Sequence, residues 1–349
     1  MVNGQDLFMM LKLRILFIVS IFLHFLTGCS NVMAKKTTFD WGAAESGPKG
    51  YPMEVISGTF LFKGEKRGLY VPNGATLHGG WGKPRSSHGH IDYGLPDRLK
   101  ITFFSYVEKQ FYQGEFELPY DTMVKYFQAG VEAFKSDEDM VPTYSKIVAG
   151  VAPGGVVAVW VTGRQRVEVF FGKAKKIELD PSKAFDLPFD SEEESNAYIE
   201  KQLPNSLTPD ELDSLNKKGI PFGLWSRYRN RYLWAPVDAE GYSLKDPNTT
   251  FVNGEFFRRF KFYELKDEQR LLPAPVSLLF RAKGKVYEVY FEEYETMEAF
   301  EKLYSNEKLI GDEKFIRMEF DFKVPQSDSR VRLYNSEESI ELKKVVFKD

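Results

Sequence analysis

The chain is poor in the residues on which disulfide frameworks and most catalytic sites depend. It has 349 residues and one cysteine, Cys29, so no disulfide can close within it. It has four histidines, and three of them (His78, His88 and His90) share one stretch, "LHGGWGKPRSSHGHIDYG". No serine sits in a G-x-S-x-G turn, and no G-x-x-x-x-G-K-[ST] occurs, which excludes a nucleophile elbow and a P-loop. Beyond residue 29 no apolar run approaches the roughly 20 residues of a spanning helix. An excess of positive charge is also lacking. The formal net charge of −3, with no clustered basic face, argues against a nucleic-acid partner.

What is present begins at the N-terminus. Lys12 and Arg14 precede an apolar run, Ile15 to Leu26, broken only by Ser20 and His24. Its length suits the core of a secretory signal. The run closes on Leu26-Thr27-Gly28-Cys29, which resembles the lipobox of bacterial lipoproteins, where the cysteine is lipidated and becomes the new N-terminus. Several acyl chains on one residue hold a protein on a membrane essentially permanently. Ser30, not Asp, follows Cys29, and this implies sorting to the outer membrane, facing the periplasm. The competing reading is an ordinary signal peptide or anchor with a chance cysteine. Met33 follows closely, ahead of Ala34-Lys35-Lys36. Initiation at Met33 would discard the lipobox and give a short cytoplasmic form; the plainer reading makes it a tether residue.

After the signal (residues 1–28), residues 29–50 are polar and Gly-rich and read as a lipidated, flexible tether. Runs such as "MEVISGTFLF" and "QFYQGEFEL" mark strands in an N-terminal β-rich half, 51–180. Met123, Val124, Phe127, Val131 and Phe134 form one helical stripe within it. "SKIVAGVA", "GVVAVWVT" and "QRVEVFFG", joined by very short connections, predict an antiparallel meander. Residues 181–219 read as a helical connection: Ser191 and Glu194 open one helix, and Thr208, Pro209 and Glu211 form a capping box for another that stops at Gly219. The acidic run Asp190–Glu194 needs no metal, since carboxylates are favoured at a helix start. A C-terminal β-rich half fills 220–349. Tyr120-Asp121-Thr122-Met123 and Tyr294-Glu295-Thr296-Met297 each follow two β runs and enter a helix. The expected class is therefore α+β, mostly antiparallel sheets with a few packed amphipathic helices, in two related halves that each contain a β-β-α unit.

No catalytic residues, metal site or cofactor are expected. His88 and His90 alternate on what would be one strand face, but their spacing is a weak metal signal, and a solvated loop explains it as well. The segment 220–236, "IPFGLWSRYRNRYLWAP", interleaves Trp225, Tyr228, Tyr232 and Trp234 with Arg227, Arg229 and Arg231. These residue types are enriched at the centres of protein interfaces, which makes Trp225, Arg227, Tyr228, Arg229, Tyr232 and Trp234 candidate partner contacts. The alternative is a lid that packs the two halves together.

"GGWG", "LPDRLKITFFSYVEKQFYQGEFELPYDTMVKYF", "IVAGVAPGGVVAVWVTGR" and "GIPFGLWSRYRNRYLW" together resemble a bacterial lipoprotein family whose shared domain is of unknown function. The resemblance covers roughly residues 40–300, and "APGGVVAVW" and "PFGLW" with its Tyr-Arg continuation are its most specific blocks. Family members look like immunity lipoproteins encoded beside type VI secretion phospholipase effectors. That resemblance implies a non-enzymatic partner of a phospholipase effector, attached to the membrane through its lipid. The rival is a non-enzymatic outer-membrane lipoprotein that maintains the envelope. Cys29→Ala should abolish palmitate labelling and release the protein from the membrane fraction; unchanged labelling would defeat the lipid reading.

Overall fold

In the computed structural model the described residues are 37–129, 144–185, 187–265, 271–282, 284–305, 311–323 and 326–348. Cys29, Met33, Val131 and Phe134 lie outside them. Among the described residues strands take up 44% and helices 23%, so sheet packing decides the architecture, a mixed one of several antiparallel sheets with six helices.

The first half runs β1 (Thr38–Ser46), β2 (Met53–Phe62), β3 (Gly68–Tyr70), β4 (Thr76–Leu77), β5 (Ser87–Gly94), β6 (Pro96–Ser105) and β7 (Gln110–Glu117). Helix α1 (Tyr120–Ala129) follows, then β8 (Lys146–Ala152), β9 (Val156–Thr162), β10 (Arg166–Lys173) and β11 (Lys175–Ile177). Helices α2 (Pro181–Ala184), α3 (Glu192–Ser206), α4 (Pro209–Lys218) and α5 (Leu224–Arg227) form the connection. The caps are those expected. Ser191 accepts from the Glu194 N–H, Thr208 and Glu211 form a capping box, and Gly219 closes α4 at φ 69°. The second half runs β12 (Tyr232–Asp238), β13 (Asn248–Phe251), β14 (Phe256–Phe257), β15 (Leu271–Leu272), β16 (Pro275–Ala282) and β17 (Lys285–Phe291). It ends with α6 (Glu293–Tyr304), β18 (Ile316–Asp321), β19 (Arg330–Tyr334), β20 (Ser339–Glu341) and β21 (Val345–Lys348).

The two halves share one topology. In the first, one sheet has the order β11-β7-β6-β2-β3 and a second array the order β10-β9-β8-β1-β5. In the second half the orders are β21-β17-β16-β13-β14 and β20-β19-β18-β12-β15. Strand for strand these correspond, and β4 alone has no counterpart. Among the described residues the one parallel pairing of each half also corresponds: β1 with β8, and β12 with β18. Both helices that follow the central hairpin, α1 and α6, begin with the Tyr-acid-Thr-Met motif, and Met123 and Met297 are fully buried. The repeat suggested by the sequence thus extends over the whole of both halves.

The halves fuse edge to edge. Arg166 of β10 pairs with Phe256 of β14, making one ten-stranded sheet from an array of each half. Strands β8 and β9 are consequently buried on both faces. Ile147, Ala149, Val151, Val157, Val159 and Val161 enter the core of the first half. Val148, Ala152, Val156, Ala158 and Trp160 enter the core of the second. A strand with two buried faces reads as a continuous apolar run, as "KIVAGVA" and "VVAVWVT" do.

Two expectations are corrected. The tether does not extend to residue 50, because Thr38–Ser46 is an inner strand of the ten-stranded sheet. Its small residues are there for close approach: a Cβ on Gly42 would lie 2.8 Å from the His88 carbonyl oxygen, and Ala43 and Ala44 are fully buried. The "SSHGHIDYG" stretch is not a loop but mostly strand β5, which pairs with β1 at the sheet edge.

Trp160 fixes the spacing of this region. A Cβ on Gly150 would lie 2.4 Å from Trp160 Cζ3 and 3.0 Å from Ser46 Oγ. Gly150→Ala should therefore destabilise the fold by about 1–3 kcal/mol through overpacking, read as a lower denaturant midpoint. An unchanged midpoint would show that the indole is free to move.

Candidate functional site

The structure divides segment 220–236 into buried aromatic and half-exposed arginine positions. Trp225 and Trp234 are 1% exposed, and Tyr228 and Tyr232 are 4% exposed, so none of the four is available to a partner. Trp225 meets Tyr51 edge-on at 5.6 Å. Tyr228 donates to Glu293 (2.6 Å), and Trp234 Nε1 donates to the Pro273 carbonyl (3.1 Å). Tyr232 packs on Phe300 at 5.3 Å. The partner-contact expectation is corrected for these four. Aromatic surface at helical and strand spacing facing an apolar core is removed from water by folding itself, and here it forms the lid.

The arginines are tied down around that lid. Arg227 makes a forked pair with Glu301 (2.6 and 3.3 Å), and Asn230 joins the same carboxylate. Arg229 donates to Glu168 (2.7 Å) and covers the Phe171 ring at 4.8 Å. Arg231 reaches Glu255 at 3.5 Å and the Leu271 carbonyl at 3.3 Å. The part-exposed Arg227–Glu301 pair contributes about 0–1 kcal/mol, the carboxylates that meet Arg229 and Arg231 are buried, and truncating a buried Trp costs about 3–5 kcal/mol. Burial of the aromatic residues holds the segment, and the ion pairs orient it.

One aromatic residue of the same segment, passed over by the sequence reading, points the other way. Phe222 is 64% exposed, between Pro221 and a left-handed Gly223 (φ 86°). Its ring lies on the Pro153-Gly154-Gly155 turn: a Cβ on Gly154 would be 3.2 Å from Phe222 Cδ1. That turn needs two glycines, since both have positive φ (77° and 79°) and a Cβ on Gly155 would be 2.6 Å from the Ala174 carbonyl. Glu108 clamps it by accepting the Gly154 N–H (2.9 Å) and the Tyr112 hydroxyl (2.7 Å). "APGGVVAVW" and "PFGLW" thus meet at one spot and present a rigid exposed phenyl. The signal in the sequence was the Gly-Gly turn itself.

His78 is exposed, and His88 stacks on Tyr70 with ring centroids 3.4 Å apart. Among the described residues no group of three or more His, Cys, Asp or Glu is placed to hold a metal ion. Among the described residues, too, no helix is long and apolar enough to cross a membrane.

Glu168 provides a pH test of the lid. Its side chain is 8% exposed, and Oε2 is buried without a partner among the described residues. Burial pushes its carboxyl up to about 7 against the opposing pull of Arg229. A raised carboxyl pKa favours the folded state at low pH, and that contribution is lost as pH rises from about 4.5 through about 7. Glu168→Gln should therefore shrink the difference in unfolding free energy between about pH 5 and about pH 8 by up to about 3 kcal/mol. An unaltered difference would show that the carboxyl titrates normally.

No curated protein and no solved structure matches the chain. A family model described as "Protein of unknown function (DUF2931)" matches residues 29–223, more than half the chain, and takes in both the Gly-Gly turn and Phe222. The chain therefore belongs to the DUF2931 family.

Proposed function

We propose that this chain is a lipid-anchored immunity protein that binds a phospholipase effector of a type VI secretion system in the periplasm and neutralises it without turnover. The observation that carries the binding role is Phe222, a large apolar side chain fixed in water by a rigid turn. The core does not need it exposed, and its position costs hydration, which docking into a partner pocket would recover. The class of partner comes from the lipoprotein family that the Gly-Gly turn and the Phe222 block resemble. The lipobox-like sequence before Cys29 supports action at a membrane, where tethering raises the local concentration of an inhibitor against a lipase. A form initiated at Met33 would retain the strands from Thr38 onward and hold the effector in the cytoplasm before its secretion.

Phe222→Asp should abolish protection of cells receiving the effector, and Phe222→Ala should weaken binding by about 2 kcal/mol, roughly thirtyfold in Kd. Both variants should keep the parental unfolding midpoint. Trp225→Ala should instead lose protection together with stability. Full protection by stably folded Phe222→Asp would sink the docking role of this turn.

A further inference from the structure

We propose that a corner of the first half, formed by Ile91, Tyr93 and the β2–β3 turn, rests on the lipid surface and orients the molecule on its membrane. The proposal rests on the lipid-anchor reading of Cys29. Eight residues lie between Cys29 and Thr38, and the nine steps of chain from one to the other reach at most about 30 Å. Thr38 is where β1 begins. It pairs with Gly94, and its hydroxyl donates to Asp92 at 2.5 Å. The corner beside Thr38 is therefore kept within that reach of the anchor.

The corner has the composition of an interfacial contact. Ile91 is 81% exposed, more than any other large apolar side chain among the described residues. A bulge puts it there: Phe39 pairs with Tyr93 but Trp41 pairs with His90, so Ile91 and Asp92 together oppose Asp40. Asp92 adopts φ 61°, unusual for a residue other than glycine, and its N–H donates to the Asp40 carboxylate at 2.9 Å. The strand is thus held in a strained shape that turns an isoleucine to the outside. Tyr93, 37% exposed, packs on Phe62 at 5.2 Å. Lys63, Lys66 and Arg67 are exposed on the turn that follows Phe62. Glu65 pairs with Arg67, and Asp40 and Asp92 bond as described but keep their charge, so the apolar tips rather than net positive charge carry the contact. Aromatic and aliphatic tips flanked by Lys and Arg suit the boundary between headgroups and acyl chains. A protein docked here would have to fit within the tether's reach of the membrane, which favours lipid as the occupant.

This contact also gives Phe222 a direction. In the parallel pair β1–β8, Gly42 is level with Lys146, so Thr38 lies four residues below that level and Pro153 seven above it. At about 3.3 Å per residue the two ends are roughly 36 Å apart. With the Ile91 corner down, the Gly-Gly turn and Phe222 face away from the membrane.

The lone native cysteine makes the test clean, because an introduced thiol is the only one left to label once Cys29 is lipidated. The lipidated mature chain, carrying an environment-sensitive fluorophore on Ile91→Cys, is reconstituted into phosphatidylethanolamine–phosphatidylglycerol vesicles. Its emission should shift to the blue and be largely lost when the acyl chains are brominated. The same fluorophore on Phe222→Cys should do neither. Unquenched emission at 91 in protein that floats with the vesicles overturns the proposal, and so does equal quenching at both positions. Shielding at 91 only when a protein partner is added assigns the corner to protein docking and also overturns it. Protein that fails to float carries no lipid, which refutes the anchor reading separately and the orientation with it.

Discussion

The indole of Trp160 is the contact around which the two halves are joined. It extends from β9 of the first half, donates its N–H to the Asn253 carbonyl of the second at 3.1 Å, and meets Trp81 edge-on at 4.9 Å. Three glycines make room for it. Gly150 lies against one side of the ring, and Gly82 and Gly254 approach so closely that a Cβ on either would be about 3.1 Å from the other's Cα or the indole. Both Gly82 and Gly254 also need positive φ. The "GGWG" block places two of these parts, Trp81 and Gly82, against Gly254 in the β13–β14 turn of the other half. The single β10–β14 pairing and the Arg229–Glu168 ion pair lie beside the same seam. Removing the indole would leave the ten-stranded sheet joined mainly by that narrow pairing.

Much of this was legible in the sequence, and the physical reason is local. Strand runs, the 146–173 meander and the capped helices depend on short-range patterns, and each formed where its pattern lies. The repeat was legible only around the hairpin and helix, because there both halves face similar surroundings. Elsewhere the same topology meets different neighbours. β8 and β9 are covered on both faces and read as continuous apolar runs. Their counterparts β18 and β19 have one face towards solvent and alternate, as "IRMEFD" and "RVRLY" show. Equivalent strands under different burial lose their resemblance.

The site was read less well, for a related reason. Composition alone marked segment 220–236 as an interface, and it is one, but the interface lies inside the molecule. Trp, Tyr and Arg are chosen alike for buried seams between halves and for seams between chains, so only the tertiary structure separates the two uses. Phe222 drew no notice because a single phenylalanine carries no periodicity. Likewise Ile91 sat in a stretch whose glycines and serines suggested a loop; the bulge that exposes it arises from a register shift that no local pattern announces.

The two-faced character of β8 and β9 has a consequence for where the folding unit ends. The residues that cover Val148, Ala152, Val156, Ala158 and Trp160 from the second half's side include Leu224, Trp225, Tyr228, Trp234 and Phe251. All of them follow residue 223, where the family model's match ends, short of the residue 300 to which the resemblance was expected to run. A polypeptide cut there would present a sticky apolar sheet to water and aggregate rather than fold. What sequence comparison marks off as a module is thus only part of a folding unit.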